Sequence, residues 1–196
     1  SPKLSLNEIM EGLSLQLITY LLALSKTKST KDLLPAAMMY IYLHGRPKSM
    51  SVPPNGIPHA KEKENTNGIF LNDPDVLRTL DSQSGTDDGF IGVSYVKDGS
   101  VKKTSPVLTA EEFEALKALT EKILIRLYSR LESGEIAIHP VKNGTLSPCS
   151  YCPYRSICRF DPALPENSFD YISKVSDKTI REKLDEEMKR NGKENL

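Results

Sequence analysis

The sequence predicts an α/β fold, and three observations carry that prediction. An apolar helical stripe near the N-terminus feeds a segment that alternates between two apolar faces. Two β-rich runs meet at an Asp-Gly turn. A long helix opened by a capping box follows them. A helix delivering the chain into a strand that is apolar on both sides is the pattern of a sheet covered by helices.

Residues 4–25 read as one helix. Leu6, Ile9/Met10, Leu13, Leu17, Leu21 and Leu24 recur at three- and four-residue steps. Leu15, Ile18 and Leu22 widen the stripe to nearly every side, so the second half is expected to be deeply buried. Gly12 weakens the middle by up to ~1 kcal/mol relative to Ala. The polar stretch 25–32 ends the pattern. Residues 36–44 then alternate, with Ala37, Met39, Ile41 and Leu43 on one face and Met38, Tyr40, Tyr42 and His44 on the other. That reads as an interior strand. Segment 46–67 holds Pro47, Pro53, Pro54 and Pro58 and the charge run 61–64. It is expected to be a mobile loop. Asn67-Gly68 signals a turn before the short apolar piece 69–71. Asp73-Pro74 opens a short helix, an N-cap acid followed by proline at the first helical position.

Residues 90–96 and 101–107 flank Lys97-Asp98-Gly99-Ser100 and read as a hairpin. Thr109-Ala110-Glu111-Glu112 is a capping box. It opens a helix running to about Glu132 and closed by Gly134, with Leu116, Leu119, Ile123, Leu127 and Leu131 as its core stripe. Residues 135–141 are short and extended. Beyond Pro165 the chain turns polar, and residues 177–190 read as a charged surface helix or a frayed tail. There is no internal repeat.

The chain has 196 residues, with 26 Lys+Arg against 26 Asp+Glu, so its net charge is zero. This length fits one domain with a tail and can bury a core without staples. Zero balance excludes a nucleic-acid clamp held by bulk positive charge, though not a local basic groove. The run 13–24 is too short and too polar to span a bilayer. No signal peptide is read at the start, and the opening Ser-Pro reads as the start of an excised fragment.

All three cysteines lie between Cys149 and Cys158, in the spacing C-x2-C-x5-C. An odd count argues against a disulfide framework and for an intracellular, cytoplasmic protein with a ligand role. Two thiolates two residues apart can meet one metal from a single turn, and the x5 interval returns a third. Zinc sites and Fe–S clusters normally take four protein ligands. The fourth is either nearby His139 or a residue elsewhere. The alternatives are reduced, partly buried thiols without a ligand, or a redox switch.

Gln16 and Tyr20 lie at i, i+4 and so side by side on a helix. A glutamine among Leu13, Leu15, Leu17 and Ile18 is unusual, because a buried amide must find hydrogen-bond partners. Phosphate oxygens or metal-bound water would supply them, and Tyr20 could stack on a base. A polar helix edge beside a core tyrosine is the plainer alternative. Arg155 and Arg159, flanking the last two cysteines, are candidate phosphate contacts. Lys97, Lys102 and Lys103, and Arg126 with Arg130, read better as solvated charges.

The Gln16-x-x-x-Tyr20 helix followed by Cys149, Cys152 and Cys158 resembles the C-terminal portion of the RecB-type PD-(D/E)XK nucleases that carry an iron–sulfur cluster. The long interval between the two motifs, with a strand, a hairpin and a helix inside it, is similar to the B subunits of AddAB helicase–nucleases. The matching stretches are Gly12 to Tyr20, Lys97 to Ser100 and Pro148 to Asp161, and the resemblance runs from about Leu4 to Asp161. It implies a restriction-endonuclease-like domain over residues 1–164, with residues 165–196 as a polar tail or surface helix. It implies a 4Fe–4S cluster on Cys149, Cys152 and Cys158, with a fourth cysteine far upstream. It implies Mg²⁺ in the intact nuclease domain and a supporting role for Gln16 and Tyr20. It further implies an AddA helicase–nuclease partner in an ATP-dependent heterodimer acting on double-strand DNA ends and single strands. There the strand ending 5′ is degraded during break processing for homologous recombination.

The departure is equally informative. The family's metal-binding carboxylates and lysine belong to strands before the Gln-x-x-x-Tyr helix, and none is present here. Glu187-Met188-Lys189 lies in a charged helix without a preceding strand, and Asp87-Asp88 lies in a Gly-rich turn, so neither is expected to be catalytic. The chain alone is expected to be inactive. A zinc-binding or iron–sulfur interaction module without nuclease activity is the second reading, and a cluster-free protein-binding scaffold the third.

Overall fold

A computed structural model describes residues 4–30, 33–41, 66–86, 89–145, 147–165 and 167–194. The N-terminal helical segment is two helices, α1 (Leu6–Met10) and α2 (Gln16–Ser25). Gly12, at φ +82°, ends α1 in a left-handed turn. Its N–H donates to Ile9 O at 3.0 Å and that of Leu13 donates to Glu8 O at 2.7 Å, the paired bonds of a Schellman motif. Gly12 is therefore a helix terminator rather than a weak point inside one helix. The expected deep burial of the second half is also corrected. Ile18 alone is fully buried in α2, while Tyr20 and Leu24 are exposed.

Strand β1 (Ala37–Tyr40) pairs antiparallel with β2 (Asn67–Leu71), and β2 pairs parallel with β3 (Val107–Leu108). The order β1-β2-β3 makes β2 the central strand and β1 an edge among the described residues. Asn67-Gly68 is thus not a turn. Gly68 sits in the strand, where a Cβ would lie 2.6 Å from Met39 Cβ and 2.9 Å from the Met38 carbonyl oxygen. The expected loop over 46–67 lies outside the described residues as far as residue 65, as does His44.

Alternation along the strands splits the core in two. Met38, Ile69 and Leu71 join Ile9, Ile18, Leu108, Phe113 and Leu116 on one face of the sheet. Phe70 points the other way, to Leu77, Ile91, Val93 and Val107. Helix α3 (Pro74–Leu80) starts as expected, with the Asp73 carboxylate accepting from the N–H groups of Asp75 and Val76. After it, buried Asp81 organises the next loop. Its carboxylate accepts from the N–H of Gln83 at 3.0 Å, Phe90 at 2.8 Å and Ile91 at 3.2 Å.

The expected pairing of 90–96 with 101–107 is corrected to a hairpin tip alone, since Ile91 pairs with Thr66 and Val107 with β2. Tyr95 and Val101 form an isolated antiparallel bridge, and Val96 N–H donates to Ser100 O across the turn. Below the bridge Ser105 Oγ both accepts from Ser94 N–H and donates to Ser94 O, replacing ladder bonds. Helix α4 (Ala110–Glu132) carries the full capping box at Thr109 and Glu112. Its buried face ends at Ile123. Phe113, Leu116 and Thr120 are fully buried, but Leu127 is 39% and Leu131 76% exposed. The expected five-residue stripe is therefore too long.

Strands β4 (Val141–Lys142) and β5 (Asp170–Tyr171) form a separate parallel pair around the cysteine segment, which contains the short helix α5 (Arg155–Cys158). The last helix, α6 (Asp177–Glu194), is docked rather than frayed. Ile180 and Leu184 enter the main core, and Arg181 donates to Glu112 Oε1 at 2.6 Å and to Val107 O at 3.2 Å. Lys122 pairs with buried Glu187. Three apolar teeth one turn apart (Ile180, Leu184, Met188) outweigh the helix's high charge. Among the described residues no helix is long and apolar enough to cross a membrane.

Candidate nucleic-acid interface

The turn after α1 sets the first candidate pair. Ser14 has left-handed backbone, at φ +51°, and its hydroxyl donates to Glu8 Oε2 at 3.0 Å. The chain reverses there, so Gln16 is the first residue of α2. Gln16 Nε2 donates to the Tyr20 hydroxyl oxygen at 3.0 Å, and both side chains are exposed. The expectation that Gln16 is buried among leucines is corrected. Leu15, Leu17 and Ile18 pack on the main core while the amide stays on the solvent side. The bond has a chemical consequence. With its oxygen accepting from Gln16, Tyr20 has its O–H to donate outward, beside the lone pairs of Gln16 Oε1. A phosphate oxygen and a water fit that donor and acceptor.

The cysteine segment begins with a 3₁₀ turn, Pro148–Ser150, capped by Ser147 Oγ accepting from Cys149 N–H at 3.3 Å. Helix α5 ends at Arg159, another left-handed residue at φ +51°. Cys149 and Cys152 are half-buried, Cys158 is exposed, and all three are free thiols. Soft thiolates at this spacing suit zinc or an iron–sulfur cluster chemically. The arrangement, however, does not gather them. Among the described residues no group of three or more His, Cys, Asp or Glu is placed to hold a metal ion. His139, an expected alternative ligand, has its Nδ1 3.3 Å from Ser168 Oγ.

Arg155 and Arg159 are exposed and form no ion pair among the described residues. Arg130 is engaged. Its guanidinium forks onto Glu135 at 2.8 and 2.5 Å. That hydrogen bond holds the Glu135 carboxyl below its ordinary range, and the same bond raises Arg130. Arg126 opens on a groove it shares with Lys183, Glu186 and Glu187, where opposite charges alternate. At the hairpin tip Asp98 accepts from Ser100 Oγ at 2.7 Å and Ser100 N–H at 2.9 Å, which lowers its carboxyl. Glu187 serves as the buried half of an ion pair with Lys122, and Asp87-Asp88 lies outside the described residues.

Sequence reasoning missed an aromatic row. Phe160 meets Phe169 edge-to-face at 4.8 Å, Phe169 meets Tyr171 at 6.1 Å, and Lys142 Nζ lies 4.9 Å from the Phe169 ring centre. The two-residue spacing of Phe169 and Tyr171 was the available signal, since it puts both on one face of an extended segment.

The chain matches the family model described as the PD-(D/E)XK nuclease superfamily over residues 1–159. It is 32% identical over 190 residues to the B subunit of the ATP-dependent helicase/deoxyribonuclease of Desulforamulus reducens, covering 91% of this chain and 16% of that protein. It is 32% identical over 194 residues to the protein of the same name from Bacillus subtilis strain 168, with 94% and 16% covered. For Clostridium kluyveri the identity is 33% over 183 residues, with 89% and 16% covered. The chain thus spans about a sixth of the length of the curated relatives it matches.

Proposed function

Because the chain belongs to the PD-(D/E)XK nuclease superfamily, we propose that it serves as the C-terminal part of the nuclease domain of a helicase/deoxyribonuclease B subunit. In this reading it holds the DNA strand beside metal-binding carboxylates supplied from outside these residues. The longer protein degrades the strand ending 5′ at double-strand breaks, in an ATP-dependent heterodimer with an AddA-type helicase–nuclease.

The observation that carries the proposal is the exposed, hydrogen-bonded Gln16–Tyr20 pair at the start of α2. Gln16 orients the Tyr20 hydroxyl, and Tyr20 donates to a non-bridging phosphate oxygen. The first turn of α2 adds its free backbone N–H groups and the positive end of its dipole. Mg²⁺, when bound at the family's carboxylates, supplies water activation and charge stabilisation. This chain offers no counterpart of those carboxylates or of the lysine, so it positions the strand but does not cut. Cys149, Cys152 and Cys158 bind a 4Fe–4S cluster in the longer protein, drawn together with a fourth ligand supplied from outside these residues.

The test uses the full-length subunit with its partner, ATP and Mg²⁺, on duplex DNA labelled at the 5′ end. Tyr20→Ala should lower nuclease activity at least tenfold while ATP hydrolysis is retained, and Tyr20→Phe should also be impaired. The isolated chain should leave the same DNA intact. Full activity in Tyr20→Ala, or cleavage by the isolated chain, would overturn the assignment. Iron and sulfide analysis of the full-length subunit, with Cys158→Ser as control, decides the cluster. A colourless protein holding stoichiometric zinc would remove it.

A further inference from the structure

We propose that the β4–β5 surface is a stacking platform for single-stranded nucleic acid, with a base resting on Tyr171 and Lys142 contacting the adjacent phosphate. The inference rests on the nucleic-acid substrate proposed above but assigns residues which that reading does not use.

Strands β4 and β5 pair in parallel with Lys142 opposite Tyr171 and Val141 opposite Asp170. Phe169 and Tyr171 therefore share one face, and Asp170 points to the other. The rings of Phe160, Phe169 and Tyr171 stand in a row, each edge-to-face with the next, at interplanar angles of 65° and 66°. Such contacts fix ring orientation. Yet none of the three rings belongs to either hydrophobic core, and Tyr171 is 69% exposed. Phe160 and Phe169 are half-buried, and the row ends in one oriented ring, Tyr171, left open to water, which folding does not explain.

Cations flank the row at Lys142 and Arg159, and the acid that follows Phe160, Asp161, accepts from Ala163 N–H at 2.9 Å in its own turn. Lys142 Nζ sits over the Phe169 and Tyr171 rings, at 4.9 and 5.8 Å from their centres, and forms no ion pair among the described residues. Arg159 directly precedes Phe160 and is exposed. Asp170, the nearest acid on the strand, lies on the opposite face and interacts with Arg130. A π surface flanked by cations matches a base and its phosphate together. An acidic peptide would use the cations but not the rings.

The test is fluorescence anisotropy of the 196-residue chain with a short fluorescein-labelled oligothymidylate at several salt concentrations. Tyr171→Ala should weaken binding by about 5- to 150-fold, the effect of losing one stacked base. Tyr171→Phe should stay within about twofold, since the ring face is kept. Lys142→Gln should reduce the slope of log K against log salt by about 0.7, one phosphate contact on a single strand. Circular dichroism should be unchanged, because neither side chain belongs to a hydrophobic core. Binding that survives Tyr171→Ala intact but falls in the Arg155→Gln/Arg159→Gln double variant overturns the platform and leaves the nucleic-acid reading standing. No binding by the wild-type chain, even at low salt, overturns both.

Discussion

Lys122→Met should destabilise the protein more than Glu187→Met, although each removes the same ion pair. The two partners sit in different solvents: the Lys122 side chain is 55% exposed and that of Glu187 is 2% exposed. Removing lysine leaves a carboxylate buried without its counter-charge, which costs about 3–5 kcal/mol when the whole pair is buried. Here one side opens to water, so the cost is discounted to about 2–3 kcal/mol. Removing glutamate instead returns Lys122 to solvent. It places an apolar side chain against Met10, Leu119 and Ile123, which line the same groove. Glu187→Met should therefore stay within about 1 kcal/mol of the parent. For a chain of this size about 1 kcal/mol corresponds to about 2–4 °C, so Lys122→Met should melt about 4–12 °C lower. Thermal and urea unfolding of both single variants and the double variant provide the assay. The double variant should recover most of the Lys122→Met loss. Equal losses in the two single variants, or no recovery in the double, would refute the argument from asymmetric burial.

Three further outcomes follow from the geometry. Gly12→Ala should cost about 1–2 kcal/mol in urea unfolding, purely from the left-handed backbone, since its Cβ would meet Ile123 Cγ2 at an ordinary 3.5 Å; a neutral result would contradict the Schellman turn. Asp81→Asn should destabilise by about 1–3 kcal/mol and speed amide exchange at Gln83 or at Phe90 and Ile91, because the amide keeps one acceptor oxygen where the carboxylate uses two; unchanged exchange at all three would refute it. The Glu135 carboxyl, lowered by its bond to Arg130, should titrate by NMR below the ordinary glutamate range. A depressed carboxyl contributes stability above its unfolded value and loses it as pH falls through the folded one. Closure of the α4 C-terminus should thus loosen only under acid, and a midpoint at or above the ordinary value would contradict the pairing.

What can be read from the sequence is what depends on near neighbours. The Asp73 cap, the Thr109–Glu112 box and the Gly134 stop are contacts within one helical turn, and each appears in the structure. Gln16 and Tyr20 stand side by side for the same reason. The departures share a different cause. By local pattern Gly12 and Gly68 read as a blemish and a turn. They prove to be a helix terminator and an in-strand close approach, because left-handed backbone and the nearness of Met39 are set by what packs against them. The stripe of α4 reads on through Leu127 and Leu131 because periodicity reports amphipathicity, not what lies opposite.

By itself, then, the sequence determined the α/β class, the caps, the paired Gln16 and Tyr20 and the close spacing of the three cysteines, all of which follow from local geometry and order along the chain. Only the tertiary structure decided that α6 docks on α4, that Gln16 faces water, that the three thiols stand ungathered, and that Lys142 lies across from Tyr171. Those outcomes turn on burial and strand pairing between residues far apart in the chain, where the free energy of contact depends on partners that no local pattern names.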